Sequence, residues 1–169
     1  MFRGVRRKFG KIYDKYVGQI YRFIFLKVNS PEIAEDLTSE VFLKAFEIFK
    51  KGEKKIKNER AFLYQVARNL VIDFYRDRAK FKVISTSDCK EIIDESQNLE
   101  EKIFLDSEIE KIREAISTLK DEYQDVLLLR YVDDLKIPEI AQILKKSEQN
   151  TRVLLHRALK SLKEKIKEI

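Results

Sequence analysis

Apolar residues recur at spacings of three and four along most of this chain. One long stripe consists of Ala34, Leu37, Val41, Ala45 and Ile48. Such spacing places its members on one face of an α-helix, whereas it would divide them between the two faces of a β-strand. With 4 glycines and 2 prolines in 169 residues, the chain also has few residues suited to tight β-turns. The sequence therefore predicts an all-α fold.

Helix boundaries can be placed around this stripe. Ser30-Pro31-Glu32 predicts a helix start, because it combines a capping hydroxyl, a first-turn proline and a carboxylate that the helix dipole favours. Gly52 predicts its end, and a Lys-rich loop over residues 50–59 leads to a second apolar stripe, running from Leu63 to Phe74. Residues 12–28 form a third apolar segment, rich in Tyr and Phe. These three helices can bury one another as a compact bundle.

A strongly acidic segment follows the bundle. Residues 85–110 hold nine Asp or Glu and two Lys, without Gly or Pro. Like charges repel, so we expect its front half to be an extended linker, with helix resuming near Leu99 and ending near Leu119. We expect the apolar stripe of that helix to include Ile103, Ile109, Ile112 and Ile116. The predicted division is a first domain over 1–82, a linker over 83–98 and a second domain over 99–169.

The end of the chain predicts a DNA-binding helix-turn-helix. Residues 145–169 hold eight Lys or Arg against three Glu, a net charge of +5 in a chain whose total is +6. Residues 1–22 are also basic, at +6, so residues 23–144 sum to −5. Leu135, Ile140, Ala141 and Leu144 indicate a short helix over 137–144, and Ser147 is a typical cap for a longer one. A cationic helix of this width suits the DNA major groove.

The longer helix separates into two faces. We expect Leu155, Ala158, Leu162 and Ile166 to face the core. On the outer face an arginine can bond guanine, amide side chains can bond adenine or phosphate, and a valine can contact a thymine methyl group. The candidate DNA-contacting residues are Gln149, Asn150, Arg152, Val153, His156, Arg157 and Lys160.

Several other function classes are disfavoured by the sequence. His156 is the one histidine and lies on a basic face without a nucleophile motif, so we expect no catalytic site. Cys89 is the one cysteine and we expect the carboxylates to lie on solvated helical faces, which leaves too few ligands for a metal centre, and we expect no cofactor. No apolar run reaches membrane-spanning length and the N-terminus lacks a secretion signal, so we expect a cytoplasmic protein.

With both halves considered, the chain resembles bacterial RNA polymerase sigma factors of the extracytoplasmic-function type. One part of the resemblance lies in the segments Ala34 to Ala45 and Phe62 to Arg76, which are similar to region 2 of that family. The other lies in Leu127 to Tyr131, Glu139 to Ala141 and Leu155 to Leu159, which are similar to region 4. Paired in this order, the segments are highly specific, and they leave no space for a third helical domain between them.

This resemblance implies two partners, core RNA polymerase and promoter DNA, with an anti-sigma factor as a further candidate. It implies that the second domain reads the -35 element through the seven residues named above and that the first domain melts and reads the -10 element. The implied -10 residues are Phe62, Arg68, Asn69, Ile72 and Arg76. The implied polymerase-binding residues, facing the β′ clamp helices, are Asp36, Ser39, Glu40 and Leu43, while the second domain would meet the β flap.

Three positions depart from the family pattern. Lys145 stands where the turn of the motif usually has glycine, Gln149 replaces a common glycine, and Ser39 replaces the usual glutamine. A left-handed Lys145 would cost roughly 1 kcal/mol. Two other function classes stay open at this point: a stand-alone helix-turn-helix regulator with an N-terminal ligand-binding or dimerisation domain, and a membrane-surface or scaffold protein that uses the basic ends.

Overall fold

The computed structural model describes residues 2–52, 56–84 and 107–169. These residues form seven α-helices and one π-helical turn, without a β-strand, which confirms the all-α prediction. The helices are α1 Phe2–Val28, α2 Pro31–Lys51, α3 Glu59–Ile84, α4 Ser107–Ser117, α5 Asp121–Leu127, α6 Ile137–Leu144 and α7 Glu148–Glu168. The π-turn, Leu128–Val132, directly follows α5.

Helices α1, α2 and α3 pack as a bundle around an apolar core. The ends of α2 lie where the sequence predicts them. The Ser30 hydroxyl accepts a bond from the Ile33 amide at 3.4 Å, and Gly52 closes the helix with a φ of 64°. In the core, the rings of Phe23 and Tyr64 meet edge to face with centroids 5.5 Å apart. Each side chain buried in this way contributes roughly 1.5–3 kcal/mol to folding.

Helix α1 begins at Phe2, ten residues before the start that its apolar pattern predicts. The extra turns are anchored by Phe9, whose ring packs edge to face on Phe46 at 5.1 Å and lies 5.8 Å from Phe49. Phe2, Val5 and Phe9 among five cations are a weak periodic signal. The start of α1 therefore depends on contacts with α2 that local sequence does not reveal.

The second domain contains the predicted helix-turn-helix. Helix α6 has the predicted bounds, and Leu135, Ile140, Ala141 and Leu144 are all buried. Helix α5, which packs before the motif, ends at Leu127, and the chain continues as the π-turn. That turn lets the amide of Leu135 reach the carbonyl oxygen of Leu129 at 2.9 Å. The chain thereby reverses toward α6.

Some core assignments were wrong. Ile109 and Ile112 are 53% and 43% exposed, because α4 buries its Ala115 side instead. Ile166 is 40% exposed, while Thr151 and Leu154 fill the core under the first turns of α7. Residues 83 and 84 of the predicted linker form the end of α3, while the rest of the linker with Cys89, the helix start near Leu99 and Ile103 lie outside the described residues.

The two domains contact each other directly, since α3 packs on α6 and the buried apolar cluster includes residues of both. None of the helices in the described ranges combines the length and apolar character that crossing a bilayer would need. Within the same ranges, no group of three or more His, Cys, Asp or Glu side chains is arranged to hold a metal ion.

Candidate nucleic-acid and polymerase interfaces

The start of α7 is fixed by its own polar residues. The Ser147 hydroxyl accepts a bond from the Asn150 amide at 3.1 Å, as its predicted capping role requires. Thr151 is fully buried and donates its hydroxyl to the Ser147 carbonyl oxygen at 2.8 Å. Lys145 ends α6 in the left-handed region, at φ 53° and ψ 45°. Together these residues set the direction in which α7 leaves the turn.

One side of α7 carries the candidate -35 residues, and all of them are exposed. Arg152 has 61% of its side chain accessible and pairs with Glu148 one turn earlier at 3.3 Å. Val153 is 44% exposed, so its methyl groups are accessible to a partner. The exposed residues on this side are Gln149, Asn150, Arg152, Val153, His156, Arg157 and Lys160.

The candidate polymerase-binding face lies on α2, opposite the buried stripe. Asp36, Ser39, Glu40 and Leu43 are all exposed, and Leu43 shows 60% of its surface to solvent. Lys44 pairs with Glu40 at 3.1 Å on the same helix. An apolar side chain surrounded by polar and acidic ones matches the usual composition of a protein-binding surface.

The candidate -10 residues lie on α3 but differ in accessibility. Asn69, Ile72 and Arg76 are exposed, with Ile72 at 41%. Phe62 is half-buried against the apolar core. Arg68 is also half-buried, because the second domain lies against it. The structure thus places all five residues on one helix, three of them open to solvent.

The carboxylate of Asp125 is the second domain's contact with Arg68. Asp125 is 2% exposed. Its Oδ2 accepts a hydrogen bond from the Arg68 Nε at 2.8 Å, and its Oδ1 lies 3.0 Å from the Lys27 Nζ. A buried carboxylate is tolerated when it is paired in this way. One acidic residue of the second domain therefore holds two cations of the first.

A second inter-domain contact is centred on Glu139 of α6. Its carboxylate accepts two bonds from Arg60, at 3.2 Å from Nε and 2.6 Å from the terminal nitrogen, and another from the Asn58 amide at 3.4 Å. Burial raises the pKa of Glu139, but the bonds from Arg60, the Lys136 backbone and Asn58 outweigh it and hold the pKa below 4.5. Beside it, the Gln65 side chain donates to the Gln142 carbonyl oxygen at 2.6 Å.

A third contact joins α1 to the residue after the π-turn. Arg22 donates to Asp133 at 2.6 Å, and the Asp133 side chain is fully buried. Burial raises the pKa of Asp133 above 3.8, against the lowering effect of Arg22. Burial also raises the pKa of the neighbouring Tyr64 hydroxyl, and the Asp133 carboxylate raises it further. Asp133 and Tyr64 are thus buried inside the domain contact, and the half-exposed Arg22 pairs with the Asp133 carboxylate at its edge.

A cavity of about 430 Å³ lies where the two domains meet. Its walls include Arg68, Ile72 and Arg76 of the candidate -10 face, together with Asp121 and Asp125 of the second domain. Part of the face predicted to read DNA is therefore turned toward the other domain in this arrangement.

Sequence reasoning did not assign a role to Arg22, Arg60, Asp125, Asp133 or Glu139. It treated the carboxylates as parts of solvated helical faces, whereas Asp125 and Asp133 are buried. One local signal was present: Asp125 directly precedes the buried apolar run from Val126 to Leu129, and Asp133 lies two residues before the buried Leu135. Their partners lie 57 to 111 residues away along the chain, so spacing alone could not identify the pairs.

Comparisons with known proteins agree with the two-part organisation. Residues 12–81 match the Sigma-70 region 2 family, and residues 109–162 match the Sigma-70 region 4 family. The chain is 32% identical to the ECF RNA polymerase sigma factor SigM of Bacillus subtilis, over 90% of this chain and 91% of SigM. It is 30% identical to the RNA polymerase sigma factor YlaC of the same organism, over 90% and 88%.

A longer relative and one solved structure complete the comparison. The ECF RNA polymerase sigma factor BldN of Streptomyces coelicolor is 28% identical over 91% of this chain, which spans 58% of BldN. The sigma factor RpoE of Bartonella quintana, solved with the anti-sigma factor NepR, superposes with a TM-score of 0.75 at 16% identity and covers 95% of this chain and 98% of RpoE. That likeness supports the fold.

Proposed function

The chain belongs to the ECF RNA polymerase sigma factors, and we propose that it binds core RNA polymerase and directs promoter-specific transcription initiation. The observation that carries this proposal is the ordered pair of family matches, region 2 and then region 4, together with 32% identity to SigM over nearly the full length of both chains. A stand-alone helix-turn-helix regulator would not account for the match of the first domain to region 2.

We place -35 recognition on α7. The exposed guanidinium of Arg152 has the reach and geometry to bond guanine, and the exposed methyl groups of Val153 suit a thymine methyl. In this assignment His156 also reaches bases, while Gln149, Asn150, Arg157 and Lys160 hold the backbone. The cap at Ser147 orients the first turn of α7, so the base-reading residues enter the groove first.

We place -10 melting and recognition on α3 and the loop before it. Ile72 and Phe62 supply apolar surface for unstacked bases, Asn69 supplies an amide for a flipped base, and Arg76 supplies charge for the strand backbone. Arg68 belongs to this set as well, but it is bonded to Asp125 in the domain contact. Its use on DNA requires that this bond be exchanged for one to a phosphate.

We assign polymerase binding to the α2 face that contains Asp36, Ser39, Glu40 and Leu43, with the β′ clamp helices as its partner. Leu43 is the apolar centre of that face and the acidic residues supply the orientation. The second domain would meet the β flap, and an anti-sigma factor is a further proposed partner. We place the division of the chain at 1–82, 83–98 and 99–169, the protein in the cytoplasm, and catalysis in the polymerase.

Reconstituted transcription tests this function. The purified chain is mixed with bacterial core polymerase and genomic DNA, and transcript starts are mapped with and without the chain. We expect a set of starts that depends on the chain and shares two upstream elements. Leu43→Asp should remove those starts by weakening core binding, whereas Lys120→Gln, an exposed residue on the other domain, should leave them unchanged. Absence of any chain-dependent start would contradict the proposal.

A further inference from the structure

The first three turns of α1 are a cationic helix that the family match does not include. Residues 2–11 hold five Arg or Lys and no acid, and the match to region 2 begins at residue 12. Arg3, Arg6, Arg7 and Lys11 are exposed, and no acidic side chain of the described residues pairs with any of these four. This segment therefore concentrates positive charge outside both matched regions.

These charges destabilise the start of α1. The N-terminus of a helix is the positive end of its dipole, which disfavours cations, and α1 has no acid in its first turn. Arg3, Arg7, Lys11 and Lys15 also follow one another at intervals of four residues, so each repels the next along one face. Helix stability does not explain this arrangement, whereas a polyanionic partner would compensate for it.

The cationic turns adjoin the loop to which the -10 role is assigned. Phe9 packs on Phe46 and Phe49 at the end of α2, and the Lys8 ammonium lies 5.4 Å from the centre of the Phe49 ring. Phe9 and Phe49 also share a small apolar pocket with Ile56 and Phe62. Lys51 and Lys57 are exposed beside this cluster. The start of α1 and the described residues of the α2–α3 loop therefore form one basic end of the first domain.

From these observations we propose that residues 3–15 of α1 bind the sugar-phosphate backbone of DNA next to the -10 element. This rests on the proposed -10 role of the α2–α3 loop. The four cations at intervals of four lie about 6 Å apart along the helix axis and present a row of charge to a row of phosphates. Such contacts hold DNA in position without reading its sequence.

The apolar residues of the segment argue for DNA over an anionic membrane. A helix that lies in a membrane interface exposes an apolar face to the lipid. Here Ile12 is buried and Phe9 is half-buried against α2, both on the protein side, and Val5 is half-buried. The outward side of residues 3–11 presents cations and glycines, and in the next turn Tyr13 and Asp14 are also exposed.

The test compares two double variants of the full chain that lose equal charge. Arg3→Gln/Arg7→Gln removes two of the proposed contacts, and Lys111→Gln/Lys120→Gln removes two exposed lysines of the second domain. Glutamine keeps good helix propensity, which circular dichroism can verify. Binding to a fluorescein-labelled mixed-sequence duplex with a single-stranded overhang is measured by anisotropy over a series of salt concentrations.

The slope of log K against log[salt] is negative, and we expect R3Q/R7Q to make it shallower by about 1.4 to 1.8, the value for two lost phosphate contacts. We expect K111Q/K120Q to leave the slope unchanged. Equal slopes for R3Q/R7Q and the parent chain would overturn the proposal. So would a loss seen instead on vesicles rich in phosphatidylglycerol, or in affinity for core polymerase, with DNA binding intact. Core binding by the parent chain is scored separately, so failure of the proposed function is distinguishable from failure of this inference.

Discussion

At the scale of single residues, Arg152 has the clearest expected effect. Its guanidinium extends from the exposed side of α7, and its bond to Glu148 at 3.3 Å joins two accessible side chains, so exchanging it for a base costs little. Arg152→Ala should weaken binding to the correct -35 sequence by about 1–3 kcal/mol and relax the preference at one base pair. Holoenzyme binding to a library of -35 variants measures both effects.

Arg157→Ala is the matched control for Arg152→Ala. Arg157 is also exposed on α7, but we assign it to the backbone, so its loss should weaken binding equally on every -35 sequence and reduce the salt slope by about 1. If Arg152→Ala instead behaves like Arg157→Ala, then Arg152 contacts phosphate and the base assignment is wrong.

Single residues also mark the limit of what sequence can predict. Exposure of Arg152 and Val153 follows from helical period, because the apolar residues of α7 fix which side is turned inward. The burial of Asp125 has no such local cause. It depends on Lys27 and Arg68, which approach it only when the two domains meet. The roles of all the candidate residues on DNA and polymerase remain predictions.

At the scale of elements, the turn between α6 and α7 contains a residue under strain. Lys145 has a φ of 53°, which glycine adopts without the steric cost that a side chain incurs. Lys145→Gly should therefore raise the free energy of unfolding by up to about 1 kcal/mol, measured by urea denaturation. The gain is limited because glycine also increases the entropy of the unfolded chain.

Lys145→Ala separates the backbone effect from the loss of charge. Alanine removes the same ammonium group but keeps the strain of a Cβ atom, so we expect it to be no more stable than the parent chain. Equal stabilisation by alanine and glycine would show that charge repulsion, and not the backbone conformation of Lys145, limits this turn.

Helix bounds were predictable wherever a cap or a turn residue fixes them. Ser30, Gly52 and Ser147 define their helix ends through local bonds or a left-handed backbone, and local sequence contains that information. The π-turn after α5 and the early start of α1 depend on where the chain must go next and on aromatic packing with α2. These two features could not be predicted from local sequence, because their causes are contacts between residues far apart in the chain.

At the scale of the whole molecule, the domain contact should be sensitive to acid through Glu139. The pKa of Glu139 in the folded chain lies below its ordinary value of 4.5. Its contribution to the free energy of unfolding is therefore present above pH 4.5 and is lost as the pH falls through the lower folded value. Asp133 has the opposite effect on stability: because its pKa is raised in the folded chain, its ionised form destabilises the fold, and protonation in acid removes that cost. Thermal unfolding from neutral pH to about pH 3.5 measures the net effect.

Glu139→Gln isolates the contribution of Glu139 to the pH dependence of thermal unfolding. Glutamine keeps the shape of the side chain but has no proton to gain, so the variant should be less stable at neutral pH and should converge on the parent chain in acid. A constant difference between the two at every pH would show that Glu139 titrates normally and that its bonds to Arg60 do not form in solution.

The Arg60 and Glu139 pair offers a direct test of how the domains are joined. Arg60→Glu sets a carboxylate beside Glu139, Glu139→Arg sets two guanidinium groups together, and each change should repel the domains and increase the radius of gyration in X-ray scattering. Combining both changes restores opposite charges across the same 2.6 Å contact. The double variant should therefore recover compactness, with a coupling free energy of about 0.5–3 kcal/mol in unfolding experiments.

Lys44→Glu controls for the change in net charge that Arg60→Glu introduces. Its partner Glu40 lies on the same helix, so the reversal alters charge by the same amount as Arg60→Glu without touching the domain contact, and the radius of gyration should not change. A double variant as expanded as the single ones would show that Arg60 and Glu139 do not face each other in solution. Recovery would instead show that a charge pair 79 residues apart in sequence joins the two domains.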